Sequence, residues 1–170
     1  MTKRRAQSEE VHDLIGLEMD NPFFYIKNHR LTERQKGFLA VALDPATQIM
    51  FINGPAGSSK TYMAVYSALR LLACNNKLDL LYVRTIIESA EKNMGFLPGS
   101  AHEKFNPYML PLFDKLEEML KVPDYQRLLQ EKRVDAMPVN YLRGANWRNK
   151  IIVADEAQNF SFVAILCKVT

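Results

Sequence analysis

Apolar residues along this chain follow two rhythms. In "LTERQKGFLAVAL" Phe38, Leu39, Ala42 and Leu43 recur at helical spacing, with Thr32 placed as a cap. Asp44-Pro45 ends that helix. "KTYMAVYSALRLLAC" repeats the pattern with Met63, Ala64, Ala68, Leu69 and Leu72. "NPYMLPLFDKLEEMLKV" reads as helical in its later part, and "PDYQRLLQEKR" as a short helix opened by Pro123. The second rhythm is short and continuously apolar. "QIMFIN", "LDLLYVR" and "KIIVADE" read as buried strands. "VDAMPVNYL" reads as a strand interrupted at Pro138. "ESAEKNMGFLPGS", with Gly95, Pro98 and Gly99, reads as a loop. Strands alternating with helices predict an α/β fold with a parallel sheet flanked by helices. Residues 1–30 read as an appendage: Val11, Leu14 and Ile15 fall at helical spacing after Ser8, and "DNPFFYIKN" breaks any helix at Pro22. Residues 31–170 form the core domain.

Composition narrows the class. At 170 residues and 48% hydrophobic, the chain is long enough for one packed core. Charged residues are 24%, near the globular norm, which argues against disorder throughout. A net charge of +3 permits contact with nucleic acid without arguing for it. Cys74 and Cys167 stand in no metal or redox spacing, so a reducing cytoplasm is the expected compartment. "MTKRRAQSEEVHDL" has a basic patch with no apolar stretch after it, unlike a secretory signal. No apolar run approaches the roughly 18 residues of a membrane span. His12, His29 and His102 lack acidic or cysteine partners at ligand spacing and read as surface or packing residues.

The stretch that carries chemistry is "FINGPAGSSKTYMAVY". Gly54, Pro55, Ala56, Gly57, Ser58, Ser59, Lys60 and Thr61 fit the pattern G-x-x-x-x-G-K-[ST] except at Ser59, where a glycine is expected. In such a loop, backbone N–H groups point inward at phosphates and the following helix adds the positive end of its dipole. Lys60 would reach the β and γ phosphates of ATP, and the Thr61 hydroxyl would ligate Mg²⁺. Serine is small and polar, so the loop survives it, and Gly57 still supplies backbone freedom. The alternative is a plain strand–turn–helix connection.

The partner motif is "IIVADEAQN". A strand ending in Asp155-Glu156 places both acids at the carboxyl edge of the sheet, the edge that carries the loop. Asp155 suits Mg²⁺ held through water, and Glu156 suits orienting or deprotonating an attacking water. Alone, such a strand end also fits a solvated acidic terminus. Gln158, just beyond, either senses a γ-phosphate or is a polar loop residue. Gln35 has an amide that donates and accepts at once, which suits the edge of adenine, although exposed glutamines are common.

Together these residues resemble the PhoH family of P-loop ATPases, associated with phosphate starvation and widely carried by phages. The resemblance runs from about Leu31 to Phe162. It rests on "GPAGSSKTYMAV", "GFLPG", "KFNPYMLPLFDKLEEML", "LRGA" and "DEAQN". "GFLPG" followed by a proline-and-tyrosine segment is more specific than the phosphate loop. A serine before the lysine looks like the phage-type variant, whose home would be a host cytoplasm.

The resemblance implies a P-loop NTPase core similar to that of superfamily-one helicases, with Walker A and Walker B motifs binding ATP and Mg²⁺. It implies that Gln35 is the adenine-reading glutamine. It also implies that Arg84, Glu88 and "GFLPG" line the active face or a nucleic-acid or subunit contact. Thr85 stands where cellular members usually have proline. Family members continue past "DEAQN" into a helix, a strand ending in Gly-Asp and arginine-bearing elements. Here "FSFVAILCKVT" follows and the sequence stops at Thr170, so the core is expected to be incomplete at its C-terminal end.

The expected function is therefore Mg-ATP binding with hydrolysis. The alternative is a non-catalytic ATP-binding or assembly module. RNA or single-stranded nucleic acid is a candidate partner through Arg84, Lys92, Lys104, Arg143 and Arg148, and a homo-oligomeric ring would let a neighbour supply an arginine.

Overall fold

The computed structural model describes residues 23–27, 29–85, 101–142 and 147–159. The appendage helix, the "GFLPG" loop, Glu88, Lys92, Arg143 and the tail after Asn159 lie outside these. Four α-helices are present among the described residues: α1 Glu33–Leu43, α2 Lys60–Cys74, α3 Ala101–Met119 and α4 Val122–Gln130. Three strands alternate with them: β1 Asp79–Arg84, β2 Val134–Pro138 and β3 Lys150–Asp155. The sheet order is β2-β1-β3 and both pairings are parallel, as the alternation of patterns predicts.

β1 is apolar on both faces because it is the middle strand. Leu80 and Tyr82 face the main core, against Met63, Leu69 and Leu72 of α2 and Leu112 and Leu116 of α3. Leu81 and Val83 face a smaller cluster with Val139, Leu142 and Trp147. In α3 the buried positions Met109, Leu112, Leu116 and Met119 keep helical spacing. That helix begins at Ala101 and runs through Pro107 and Pro111, further upstream than the prolines suggest. An interior proline costs about 3 kcal/mol, and burial of the continuous apolar stripe offsets it.

The sharpest departure from the sequence pattern is "QIMFIN". It forms no strand: among the described residues it joins no ladder. Ile49 is 77% exposed and Phe51 90% exposed. An apolar run becomes a strand only where a neighbour satisfies its N–H and C=O groups. Among the described residues β3 pairs only with β1.

Local chemistry fixes the ends of the helices. Thr32 and Gln35 form a reciprocal capping box at the start of α1. Pro123 stands in the first turn of α4, as its sequence suggests. The far end of α4 closes in a Schellman turn: Arg133 N–H donates to the Leu128 carbonyl at 2.8 Å and Lys132 N–H to that of Leu129 at 3.1 Å. Lys132 has φ 55°, the left-handed region that glycine prefers. Asp79, at the amino edge of the sheet, pairs with Arg133 at 3.2 Å and Lys150 at 3.5 Å, pinning β1 to both neighbours.

Replacing Lys132 with Gly should raise the unfolding free energy by about 0.5–1 kcal/mol, the left-handed strain less the glycine entropy. Urea denaturation would show a higher midpoint with an unchanged slope. A lower midpoint would mean that the lysine side chain outweighs the strain.

Candidate functional site

The loop from Gly54 to Ser59 connects the exposed 48–53 stretch to α2. Ser58 folds it into a tight turn, its hydroxyl donating to the Pro55 carbonyl at 2.8 Å. Gly57 has φ 76° and Ser59 has φ 61°. Ser59 thus adopts the conformation for which the pattern reserves a glycine, at a cost of about 1–2 kcal/mol. A Cβ on Gly54 would sit 2.9 Å from Ser58 Oγ and would displace the hydroxyl that closes this turn. Ser59 caps α2 with no side-chain hydrogen bond, which leaves the first N–H groups of that 15-residue helix without a side-chain partner. The Lys60 ammonium turns back into the loop and donates to the Gly54 carbonyl at 2.8 Å and the Pro55 carbonyl at 2.7 Å.

β3 delivers its acids to the same place. The Thr61 hydroxyl donates to Asp155 Oδ1 at 3.1 Å, joining residues 94 positions apart. The Tyr82 hydroxyl donates to Asp155 Oδ2 at 2.5 Å. Both carboxylate oxygens are therefore held, one from α2 and one from the middle strand. Burial, followed by the hydrogen bond to Asp155, pushes the Tyr82 hydroxyl far above the ordinary tyrosine range, so it stays a donor. Arg84 ends β1 in register with Asp155. Glu156 follows with φ 54°, a left-handed non-glycine residue at the strand end. Gln158 donates its amide to Glu156 Oε2 at 2.5 Å.

Gln35 lies on the other side of the loop. It shares a cavity of about 220 Å³ with Ser59, Tyr62, His29 and Glu118. His29 is a packing residue, edge-on to Tyr62 and Tyr66 at 5.6 and 6.3 Å. The structure thus gathers Gln35, the loop, Lys60, Thr61, Asp155, Glu156 and Gln158 around one end of α2. Arg148 is exposed and belongs to the loop before β3.

Sequence reasoning missed Tyr82. Its signal was a lone tyrosine inside an otherwise aliphatic strand, two residues from the carboxyl end. A buried phenol needs a partner, and the register sets Tyr82 opposite Val153, two residues before Asp155.

A strand-edge acid that meets a lysine–threonine helix start is a property of whole families, and comparison with known sequences identifies the one here. The PhoH family, described as "PhoH-like protein", matches residues 27–170. The chain belongs to the PhoH family. PhoH is a P-loop NTPase family, and the parallel α/β core is the fold that this requires. The chain is similar to the PhoH-like protein of Bacillus subtilis, 35% identical over 119 residues, which cover 70% of this chain and 37% of that protein. It is 38% identical over 115 residues to the PhoH-like protein of a Synechocystis species, covering 65% and 34%. It is 34% identical over 114 residues to Protein PhoH of Escherichia coli, covering 66% and 32%. The matched part is about a third of the length of these PhoH relatives. No helix among the described residues is long and apolar enough to cross a membrane.

Two substitutions probe this geometry. Tyr82→Phe keeps the ring and removes the donor to Asp155, so unfolding free energy should fall by about 1.5–3 kcal/mol, the range for a hydrogen bond to a charged group. Chemical denaturation checks this, and an unchanged midpoint would mean that the hydroxyl holds nothing.

Tyr62 supplies a pH test. Burial, with Glu118 and Tyr66 adding to it, pushes its hydroxyl up to about 12. The unfolded chain releases that proton near the ordinary value of about 10. The contribution of Tyr62 is thus complete below about pH 10 and is lost as the pH climbs to about 12. Tyr62→Phe should flatten the fall of melting temperature across that window. An unaltered slope would contradict the assignment.

Proposed function

We propose that this chain binds Mg-ATP at the loop Gly54–Thr61 and hydrolyses it with Glu156. The observation that carries the reading is the 3.1 Å contact between Thr61 and Asp155. It joins a helix-start hydroxyl and a strand-end carboxylate, the two hard oxygen donors that a magnesium ion bound to a nucleotide takes from a protein. Thr61 and Asp155 would hold that ion, which when bound neutralises charge on the phosphate oxygens.

The remaining residues divide the work. The loop from Gly54 to Ser59, with the uncapped N–H groups of α2, offers donors to phosphate oxygens. Lys60 exchanges the carbonyls of Gly54 and Pro55 for phosphate, trading neutral acceptors for charged ones. Tyr82 keeps Asp155 aimed through a neutral donor. Glu156 would take a proton from, or orient, the attacking water, and the Gln158 amide on its carboxylate sets its direction. Gln35 lies where the base would sit, beyond Ser59.

The second reading, binding without turnover, draws on the same site. The Gln158 amide occupies one Glu156 oxygen.

Calorimetric titration with Mg-ATP, followed by phosphate release on the same sample, separates the two. Lys60→Ala should weaken binding at least tenfold. Glu156→Gln should keep affinity within a few-fold and abolish release. Wild-type release no faster than that of Glu156→Gln would establish the non-catalytic reading. Affinity untouched by Lys60→Ala would remove the loop assignment itself.

A further inference from the structure

The two acids at the end of β3 share one feature: a neutral donor holds one oxygen of each carboxylate. The Tyr82 hydroxyl donates to Asp155 Oδ2 at 2.5 Å, and the Gln158 amide donates to Glu156 Oε2 at 2.5 Å. The two donors differ in freedom. Gln158 is exposed, in the short turn beyond the strand. Tyr82 is buried in the main core on the middle strand, with Ala136 and Val153 as its partners across the sheet. Its ring cannot withdraw from Asp155 without disturbing that core.

The other oxygen of Asp155 is held more loosely. Thr61 donates to Oδ1 at 3.1 Å from the first turn of α2. A hydroxyl has one proton and two lone pairs, and it rotates to suit its partner. Facing a cation, Thr61 turns a lone pair outward and releases Oδ1 by that rotation alone. Asp155 then offers one oxygen, while Oδ2 stays with Tyr82. Among the described residues no cluster of three acids, histidines or cysteines is placed to hold a metal ion. The share of a cation's shell that the protein supplies here is therefore small: the Thr61 hydroxyl and single carboxylate oxygens.

Cations differ in what they ask of such a site. Magnesium is small, needs near-octahedral geometry, keeps several waters and takes one or two carboxylates beside the phosphates. Calcium is larger, gathers about six to eight oxygens and often takes both oxygens of one carboxylate. We infer that Tyr82 is a cation-selectivity residue: by keeping Oδ2 of Asp155, it denies a nucleotide-bound metal ion a two-oxygen grip on that carboxylate and so favours magnesium over calcium. Tyr82 acts through Asp155, as a positioning residue. This inference rests on the proposal that Thr61 and Asp155 hold the cation of Mg-ATP.

Removing the hydroxyl has a consequence that structural damage does not. Tyr82→Phe keeps the ring and frees Oδ2. Calcium then gains a ligand, whereas magnesium, limited by its octahedron, gains none. Loosening of the sheet would instead lower both affinities together.

Calorimetry tests this with ATP titrated into wild type and Tyr82→Phe in saturating Mg²⁺, in saturating Ca²⁺ and in EDTA, with melting curves to check that the variant is folded. Wild type should bind ATP at least about tenfold more tightly in Mg²⁺ than in Ca²⁺. Tyr82→Phe should cut that ratio by about tenfold, with the affinity in Ca²⁺ rising above that of wild type. Equal affinities in wild type, a reading that needs no variant, would overturn the inference. So would a ratio unmoved in Tyr82→Phe, or an affinity in Ca²⁺ that fails to rise. In these outcomes the Mg-ATP reading stands as long as EDTA weakens wild-type binding. No ATP binding, or binding indifferent to EDTA, would remove that reading and this inference together.

Discussion

Both oxygens of the Asp155 carboxylate are taken, one by Thr61 from the first turn of α2 and one by Tyr82 from the middle strand. The position of the helix relative to the sheet is therefore written into a single side chain. Hydrophobic packing of α2 on β1 brings the two layers together but would tolerate small slides. The hydrogen bonds to one charged group would not. A carboxylate at a sheet edge would ordinarily be solvated and mobile; here a buried phenol and a helix hydroxyl fix its direction.

Around that point the backbone is unusually tense. Ser59 and Glu156, on either side of the Thr61–Asp155 contact, both hold positive φ without being glycine. Strained residues persist only where their surroundings over-determine them. At Ser59 the constraint comes from the turn that Ser58 closes and from the helix that starts at Lys60. At Glu156 it comes from the end of β3 and the short turn that follows, where Asn159 N–H returns to the Glu156 carbonyl at 2.9 Å. The lysine turned into the loop carbonyls belongs to the same economy: the loop keeps its shape by using its own cation as a filler.

Much of this was legible in the sequence, and the parts that were not have physical causes. β1 and β3 could be read because both are continuous apolar runs bounded by charge, and α1 because Thr32 stands as a cap ahead of apolar residues at helical spacing. The loop into α2 and the strand end at Asp155-Glu156 were readable because glycine, proline and serine punctuate the one and two acids close an apolar run in the other. "QIMFIN" misled because a strand is a property of a pair: the apolar pattern was present and the neighbour was not, among the described residues. Pro107 and Pro111 misled because propensity is local, whereas the helix is held by a buried stripe from Met109 through Leu112 and Leu116 to Met119. Tyr82 was hidden because its partner lies 73 residues away in sequence and is adjacent only once the register is set.

The exposed stretch ahead of the loop has a thermodynamic consequence. Ile49 and Phe51 stand in solvent while the residues just after them shape the loop. Whatever orders this stretch from outside and whatever fills the loop from inside draw on one conformational equilibrium. Linkage would make such a coupling symmetric: the factor by which ordering this stretch tightened binding at the loop would be the factor by which binding ordered the stretch.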